Sequence, residues 1–254
     1  VCDKKGTRLT SILKQAKAIP EHFSELKKLV GSEVYREVKR EKSDVQLPKE
    51  FKSLSTITSD DIVGRHALAY LKKRGVTKYD VLKYNIGYCK NGLYANMIII
   101  PSYDAYGNLN YFTARNFNPH SKLKYKNPPT SRNIIPFELY INWSSPLILC
   151  EGPFDALSIK RNVIPLLGKQ IQSNLMKKIV TSEVKKVFIA LDKDAMKDAL
   201  RHCELLLNEG KEVFLVDLED KDPNEMGFEE FTKLIQSTPT LTSYDLMERK
   251  FQLI

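Results

Sequence analysis

The sequence contains no apolar run that approaches the roughly 18 residues of a membrane-spanning helix. It also lacks the basic start, apolar stretch and small-residue cleavage site of a signal peptide. The chain has few cysteines, and Cys2, Cys89, Cys150 and Cys203 lie too far apart to form a zinc motif within it. Without a secretory signal, we expect free thiols in a reducing compartment. These absences predict a cytoplasmic protein with no membrane partner.

Positive charge exceeds negative charge, and the excess is unevenly distributed along the chain. Lys and Arg number 40 against 31 Asp and Glu, which gives a net charge of +9. Residues 1–145 contain 25 basic and 13 acidic residues, whereas residues 146–254 contain 15 and 18. With 42% apolar residues among its 254, the chain can bury a sizeable core, which excludes a disordered polyelectrolyte. A basic first half is typical of polyanion binding, although it also suits an ordinary soluble basic protein.

The first 145 residues are predicted to form two parts. Residues 1–50 carry two amphipathic helical patterns followed by a highly charged stretch, so we predict a helical N-terminal segment and a linker. Residues 51–145 predict a mixed α+β, basic subdomain. Its predicted elements are a helix over 61–74, a helix that Thr77 caps and that runs to Tyr84, a strand over 97–100 that ends at Pro101, and a second strand over 109–115.

From residue 146 onwards, short apolar runs alternate with helical segments. The apolar runs cover 147–150, 163–167, 187–191 and 213–218. Such runs, separated by helices, predict an α/β fold in which helices cover both faces of a parallel sheet. We assign this sheet and its helices to residues 146–236 and interpret residues 237–254 as a C-terminal tail.

Acidic residues follow the predicted strands. They are Glu151, Asp155, Asp192, Asp194 and Asp222. Ligands bind at the carboxyl ends of the strands in open parallel sheets, so we expect these carboxylates to gather at one edge. A cluster of like charges needs a counter-ion, and oxygen ligands suit Mg²⁺ or Mn²⁺. Any one of these acids could instead be a helix cap or a solvated loop charge.

Two of these acidic segments resemble the signature of the Toprim domain. Residues 151–156 (EGPFDA) match the pattern E-G-x-x-D-A, and residues 190–195 (ALDKDA) resemble the D-x-D motif that follows an apolar strand. Toprim domains occur in bacterial-type primases, topoisomerases, OLD-type nucleases and RecR-type recombination proteins. The resemblance implies a Toprim parallel sheet flanked by helices.

The preceding half resembles the RNA polymerase domain of bacterial-type (DnaG-like) DNA primases. The similar segments are 70–76 (YLKKRGV), 84–88 (YNIGY), 98–101 (IIIP), 111–115 (YFTAR), 123–128 (LKYKNP) and 221–225 (KDPNE). The resemblance covers about residues 60–235. It is closest to the short primases of tailed phages, because the chain stops soon after the Toprim region with no fused helicase.

This resemblance implies a DNA primase that synthesises short RNA primers on single-stranded DNA by two-metal nucleotidyl transfer. It assigns catalysis to Glu151, Asp192 and Asp194. It assigns the binding of Mg²⁺ or Mn²⁺, expected as two ions, to Glu151, Asp155, Asp192, Asp194 and Asp222. It assigns nucleotide and template binding to Arg115, Lys124 and Lys126. Two further candidates are Arg74, whose position at a basic helix end also complements the helix dipole, and Lys169, which lies in a predicted βα turn where phosphate could approach a helix N-terminus. Glu151 could be either a metal ligand or the general base on the 3′-hydroxyl.

The resemblance also implies partners and a location. The expected partners are a single-stranded DNA template, NTPs, an RNA primer and a separate replicative helicase, in the host cytoplasm if a phage encodes the protein. Cys2 resembles the last ligand of the zinc ribbon that precedes this domain in the family. Since the chain begins at Val1, we expect the other zinc ligands, and any zinc, to belong to a missing upstream segment.

Two residues depart from the family pattern. Met97 replaces a usual Arg, and Asn224 stands where many relatives have a second acid.

Two other functions stay open. One alternative is a Toprim nuclease of the OLD kind, against which the polymerase-like segment 70–128 argues. The other is a RecR-like, non-catalytic DNA-binding module, against which the acid set argues.

Overall fold

The computed structural model of the protein describes residues 45–218 and 221–253, together with the single position 22. The helical segment and linker predicted for residues 1–50, with Cys2, lie outside the described residues except for 45–50. No helix in the described part of the chain is long and apolar enough to cross a membrane. The other three cysteines, Cys89, Cys150 and Cys203, are free and buried.

The first half is built on a four-stranded antiparallel sheet. Its strands are β1 (Phe51–Ser53), β2 (Gly87–Cys89), β3 (Met97–Tyr103) and β4 (Leu109–Asn116), in the order β1-β2-β3-β4. Helices α1 (Ile62–Lys73) and α2 (Lys78–Lys83) separate β1 from β2 in the chain. The two strands predicted over 97–100 and 109–115 are present as β3 and β4, which pair antiparallel. Strands β1 and β2 were not predicted, because three residues are too few to show an alternating pattern.

Side-chain caps begin both of these helices. At the start of α1, the Asp61 carboxylate accepts the Gly64 N–H at 2.9 Å. At the start of α2, Thr77 and Asp80 form a reciprocal capping box, as the Thr77 signal predicted. Each cap satisfies backbone N–H groups that have no partner inside the helix.

Strand β3 continues past Pro101, so the prediction that the strand ends there is wrong. Strand β2 pairs only with Met97–Ile99, whereas β4 pairs with β3 along its whole length, including Pro101 with Phe112. Beyond Ile99, β3 therefore has one edge that β2 does not cover. A residue without an N–H group is tolerated there, since no ladder hydrogen bond is lost.

The second half confirms the predicted parallel sheet. Its strands are β5 (Leu147–Cys150), β6 (Val163–Pro165), β7 (Lys186–Ala190) and β8 (Glu212–Leu215), in the order β6-β5-β7-β8, with all neighbouring pairs parallel. The helices are α3 (Pro153–Ile159), α4 (Ser173–Thr181), α5 (Met196–Asn208), α6 (Pro223–Ser237) and α7 (Ser243–Phe251). Helix α7 lies within the segment interpreted as a tail.

The strands of this sheet are apolar throughout because both of their faces are buried. Ile148 and Phe188 point to one face and pack with residues of α3, α6 and the first half. Leu149 and Ile189 point to the other face and pack with residues of α4, α5 and α7. The sheet is thus the central layer of the molecule, and polar side chains are confined to its two ends.

The two halves are joined by hydrogen bonds at the end of α1 as well as by a shared apolar cluster. The Arg74 guanidinium donates to the side-chain oxygen of Asn224 at 3.0 Å. The Asn224 amide donates to the Arg74 carbonyl at 3.0 Å and to the Ser158 hydroxyl at 2.6 Å. Nearby, the Lys160 ammonium lies 3.2 Å from the buried carboxylate of Asp80. These contacts fix the position of one half against the other.

We expect Asp80→Ala to lower the free energy of unfolding by about 2–4 kcal/mol, because it removes a helix cap and leaves Lys160 without its carboxylate. The matched control is Asp245→Ala. Asp245 forms the same capping box with Thr242 at the start of α7, but at an exposed site. The control should cost about 1 kcal/mol. Urea unfolding of the two variants measures the difference, and equal losses would show that the ion pair between the halves contributes nothing.

Candidate active site

The carboxyl ends of β5 and β7 bring three acids together. Glu151 directly follows β5, and Asp192 and Asp194 follow β7. The two strands are neighbours in the sheet, with Cys150 opposite Ala190, so their ends open at the same edge. One carboxylate oxygen from each of the three residues lies within 4.8 Å of the other two. We call Glu151, Asp192 and Asp194 the acid cluster.

Two members of the acid cluster, Glu151 and Asp192, are partly withdrawn from water, and this raises their proton affinity. Glu151 and Asp192 are half-buried, whereas Asp194 is exposed. Burial is the largest cause that raises the pKa of Glu151, followed by the charge of Asp192. Burial also raises the pKa of Asp192, with further contributions from Asp222 and Asp194. The cluster therefore favours a bound cation or proton over three free negative charges.

The donor set of the acid cluster fits a divalent cation. One oxygen of Glu151 is buried and has no hydrogen-bond partner among the described residues. Such an atom is costly in a folded protein unless something binds it. Three carboxylates at this spacing offer hard oxygen ligands, which Mg²⁺ and Mn²⁺ prefer, and include none of the thiol or imidazole groups typical of zinc sites.

Asp155 and Asp222 lie beside the acid cluster and cap helices. Asp155 accepts the Gly152 N–H at 2.9 Å in the first turn of α3. Asp222 accepts the Glu225 N–H at 2.8 Å at the start of α6. Burial, followed by the charge of Asp222, raises the pKa of Asp155 to about 7. The cap interpretation therefore applies to these two acids, while their charges still act on the cluster.

Asp194 does not cap a helix. The side chains at the start of α5 make no capping hydrogen bond, and Asp194 accepts a hydrogen bond from the Lys169 ammonium at 2.7 Å. Lys169 lies in the loop between β6 and α4, which reaches the same edge of the sheet as the acid cluster. Of the five basic residues in the predicted site, Lys169 is the one that directly contacts the cluster.

Arg115 and Arg74 are set among aromatic rings. The Arg115 side chain donates to the Tyr70 hydroxyl at 3.1 Å, and its guanidinium lies 4.5 Å from the centre of the Tyr125 ring. The Arg74 guanidinium lies 5.1 Å from the centre of the Tyr70 ring. The charge of Asp155 contributes to raising the pKa of Tyr125, after burial as the largest cause. This group of cations and rings therefore adjoins the acidic edge of the sheet.

Lys124 and Lys126 flank Tyr125 on the segment that pairs with the end of β4. Tyr125 forms a bridge with Arg115, and the Lys126 N–H donates to the Ala114 carbonyl at 3.0 Å. Lys124 is exposed, and the Lys126 ammonium lies 5.8 Å from the centre of the Tyr94 ring. The two lysines thus extend the cationic surface that Arg115 begins.

Sequence reasoning missed Tyr70 as a member of the site. Tyr70 lies on α1 and touches both Arg115 and Arg74. It falls within the segment YLKKRGV, yet its pattern there is that of an ordinary helical residue. Its position between two arginines depends on how α1 packs against β4, which no local signal in the sequence gives.

The second half of the chain is similar to a known domain family. The family model of the Toprim domain matches residues 146–230. An uncharacterised protein of Mycoplasma genitalium is 30% identical over 138 residues, which are 50% of this chain. The match spans 62% of the length of that curated relative.

Several solved structures share the architecture of both halves. The Aquifex aeolicus primase, with its zinc-binding and RNA polymerase domains, is 26% identical with a TM-score of 0.62, over 74% of this chain and 61% of that chain. A DnaG primase catalytic domain bound to single-stranded DNA is 16% identical with a TM-score of 0.63, over 75% and 76% of the two chains. The primase fragment of the bacteriophage T7 primase-helicase is 19% identical with a TM-score of 0.50, over 65% and 73%. Residues 146–230 therefore match the Toprim domain, and the chain has the fold of the catalytic core of bacterial DNA primases.

Proposed function

We propose that the protein is a DNA primase, which synthesises short RNA primers on a single-stranded DNA template by nucleotidyl transfer. The observation that carries this proposal is an acid cluster at the edge of a Toprim sheet, next to a basic and aromatic surface, in the fold of a primase core. A sequence identity of 26% to the Aquifex aeolicus primase supports the proposal. The chain spans 61% of that primase, so activity, substrates and partners are inferred.

The acid cluster of Glu151, Asp192 and Asp194 would hold the divalent ions, with Asp155 and Asp222 adding charge from beside it. Two ions, Mg²⁺ or Mn²⁺, are our assignment. The chemistry supplied there is stabilisation of the negative charge that develops on the phosphoryl oxygens. The raised pKa of Glu151 also suits a general base that takes the proton of the attacking 3′-hydroxyl, so this residue has two candidate roles.

The basic surface would hold the template strand and the nucleotide. Arg115 and Arg74 can contact phosphate oxygens while their aromatic neighbours keep their side chains oriented. Lys124 and Lys126 would follow the backbone of the strand, and Tyr125 between them is exposed enough to stack on a base. Lys169 lies closest to the acid cluster and would face the triphosphate.

The wider context of the proposal comes from the similar proteins. The matched primases include a zinc-binding domain in one case, bound single-stranded DNA in another and a fused helicase in a third. By analogy we propose a zinc ribbon upstream of residue 1, and a separate replicative helicase as partner, with the reaction in the cytoplasm. We also propose a phage source, on the likeness to the T7 structure.

Primer extension tests the proposal. We expect the chain to lengthen an end-labelled short RNA annealed to a DNA template when NTPs and Mg²⁺ or Mn²⁺ are present. Asp192→Asn and Asp194→Asn should each reduce the rate by about 100-fold or more, because each removes charge that stabilises the transition state. Asp217→Asn is the control, since Asp217 pairs with Arg249 and lies outside the acid cluster.

The same experiment separates the alternatives, which no observation on the described residues favours. Shortening of the labelled strand without NTPs, lost in the Asp192→Asn variant, would replace the primase proposal with a nuclease. DNA binding with neither lengthening nor shortening would favour a non-catalytic module. The proposed upstream zinc segment would then be added, in trans or in cis. A non-catalytic module would stay inactive after this addition, whereas a primase would gain activity.

The raised pKa of Asp155 predicts how stability depends on pH in EDTA. The folded state binds this proton more tightly than the unfolded state, so stability falls as the pH rises from about 4 to about 7. Asp155→Asn keeps an acceptor for the Gly152 N–H but carries no charge. Its Tm should exceed that of the parent at pH 8, and the difference should shrink towards pH 4. A difference that stays constant with pH would contradict the burial of a charge at Asp155.

The basic surface predicts the salt dependence of DNA binding. Lys124→Ala and Lys126→Ala should each weaken single-stranded DNA binding and reduce the slope of log K against log salt by about 0.7, the value for one lost phosphate contact. Lys186→Ala is the control, because Lys186 begins β7 and lies at the opposite end of the strand from the acid cluster. Fluorescence anisotropy at several salt concentrations measures the slopes. Equal slopes in all variants would remove the two lysines from the interface.

A further inference from the structure

The loop between β6 and α4 places a cation on the acid cluster. The ammonium of Lys169 lies 2.7 Å from a carboxylate oxygen of Asp194. The loop turns sharply just before this residue, at Leu167 and Gly168, whose φ angles are 57° and 144°. The Leu167 carbonyl accepts a hydrogen bond from the Arg132 side chain at 3.0 Å, which holds the turn.

Helix α5 holds this loop by contacts to successive residues. A ring nitrogen of the buried His202 lies 2.8 Å from the Lys169 carbonyl and 3.3 Å from the Ile171 N–H. The Gln170 amide donates to Asp198 at 2.5 Å, and Arg201 donates to the Gln170 side-chain oxygen. Positions 198, 201 and 202 lie on one face of α5, since they are three and four residues apart.

The same helix begins just after the acid cluster. Asp194 precedes the first residue of α5, Met196, by two positions. Asp192, Asp194 and the residues that hold the Lys169 loop therefore belong to one continuous stretch of chain, which runs from the end of β7 through α5. Movement of the loop away from Asp194 would break the contacts of Gln170 and His202 together, so the position of the ammonium is built into the fold.

We propose that Lys169 is a built-in cation of the acid cluster, held on Asp194 by the positioning residues Gln170 and His202, and that it competes with a divalent ion at the exposed end of the cluster. This inference rests on the proposed function, because it concerns the same metal centre. It goes further by giving Lys169 a role before any nucleotide binds. The ammonium stabilises the acids when metal is scarce and opposes metal entry when metal is present.

Two measurements on the full chain test this role without using catalysis. In EDTA, Lys169→Gln should lower Tm, because the three acids lose their counter-ion. In a titration with Mn²⁺ alone, followed by the rise in Tm, Lys169→Gln should reduce the half-saturating concentration about three- to tenfold, because a neighbouring positive charge has been removed. Substitution of a residue that only supports the fold could lower Tm in EDTA. It would not at the same time increase the affinity for Mn²⁺.

Three further variants separate charge from position. Lys169→Arg keeps the positive charge and should behave like the parent in both measurements. Gln170→Ala frees the loop from Asp198 and should shift the Mn²⁺ titration in the same direction as Lys169→Gln, but less. Gln172→Ala is the matched control in the same loop, since its side chain makes no capping hydrogen bond to α4, and it should leave the titration unchanged.

The outcomes distinguish this inference from the proposed function. If Mn²⁺ stabilises the parent and Lys169→Gln equally, at the same half-saturating concentration, the competing role of Lys169 is overturned while the metal centre stands. The positioning role is overturned if Gln170→Ala and Gln172→Ala give the same titration. If Mn²⁺ does not stabilise the parent at any concentration, the metal centre itself is wrong, and the inference fails with it.

Discussion

Mutual repulsion between half-buried carboxylates is the constraint on which this structure depends. The sheet holds oxygens of Glu151, Asp192 and Asp194 within 4.8 Å of one another, and burial keeps water from screening them fully. Such an arrangement is stable only if a cation or a proton compensates the charges, or if the packing of the scaffold outweighs their repulsion. Apolar strands packed on both faces supply that scaffold, and the acids are confined to the loops at its edge.

Two of the basic residues around this edge also make contacts that stabilise the fold. Arg74 joins the two halves of the molecule through Asn224, and Arg115 is oriented by the hydroxyl of Tyr70 and the ring of Tyr125. A cation that is already oriented loses less conformational freedom when it meets a phosphate. The surface that faces the acid cluster is therefore ordered before a ligand arrives.

The parallel sheet and the identity of the acids could be predicted because both leave local signals. Continuous apolar runs of four or five residues indicate strands with two buried faces, and the motifs at 151–156 and 190–195 mark where they end. The separation of the five acids into a cluster and two caps could not be predicted. It depends on whether a carboxylate reaches a backbone N–H within its own turn, as that of Asp155 does with Gly152.

Contacts between distant segments were beyond sequence reasoning for a related reason. Helical spacing places Asp198 and His202 on one face of α5, but only the packed structure shows which loop that face meets. Likewise, β1 and β2 are three residues long and gain their identity from pairing with each other and with β3. Elements of this kind are defined by their neighbours, and the patterns within them are too short to be read.

Asn224 has a consequence for how the two halves of the protein are held together. Its amide both gives and receives hydrogen bonds, and it uses both capacities on Arg74 from one half while it also reaches Ser158 in the other. A carboxylate at this position could receive the Arg74 bond but could not give the other two. The loop that carries Asp222 is thereby fastened to the end of α1. Docking of the first half therefore helps to fix the position of Asp222 beside the acid cluster, although the acids of the cluster itself all come from the second half.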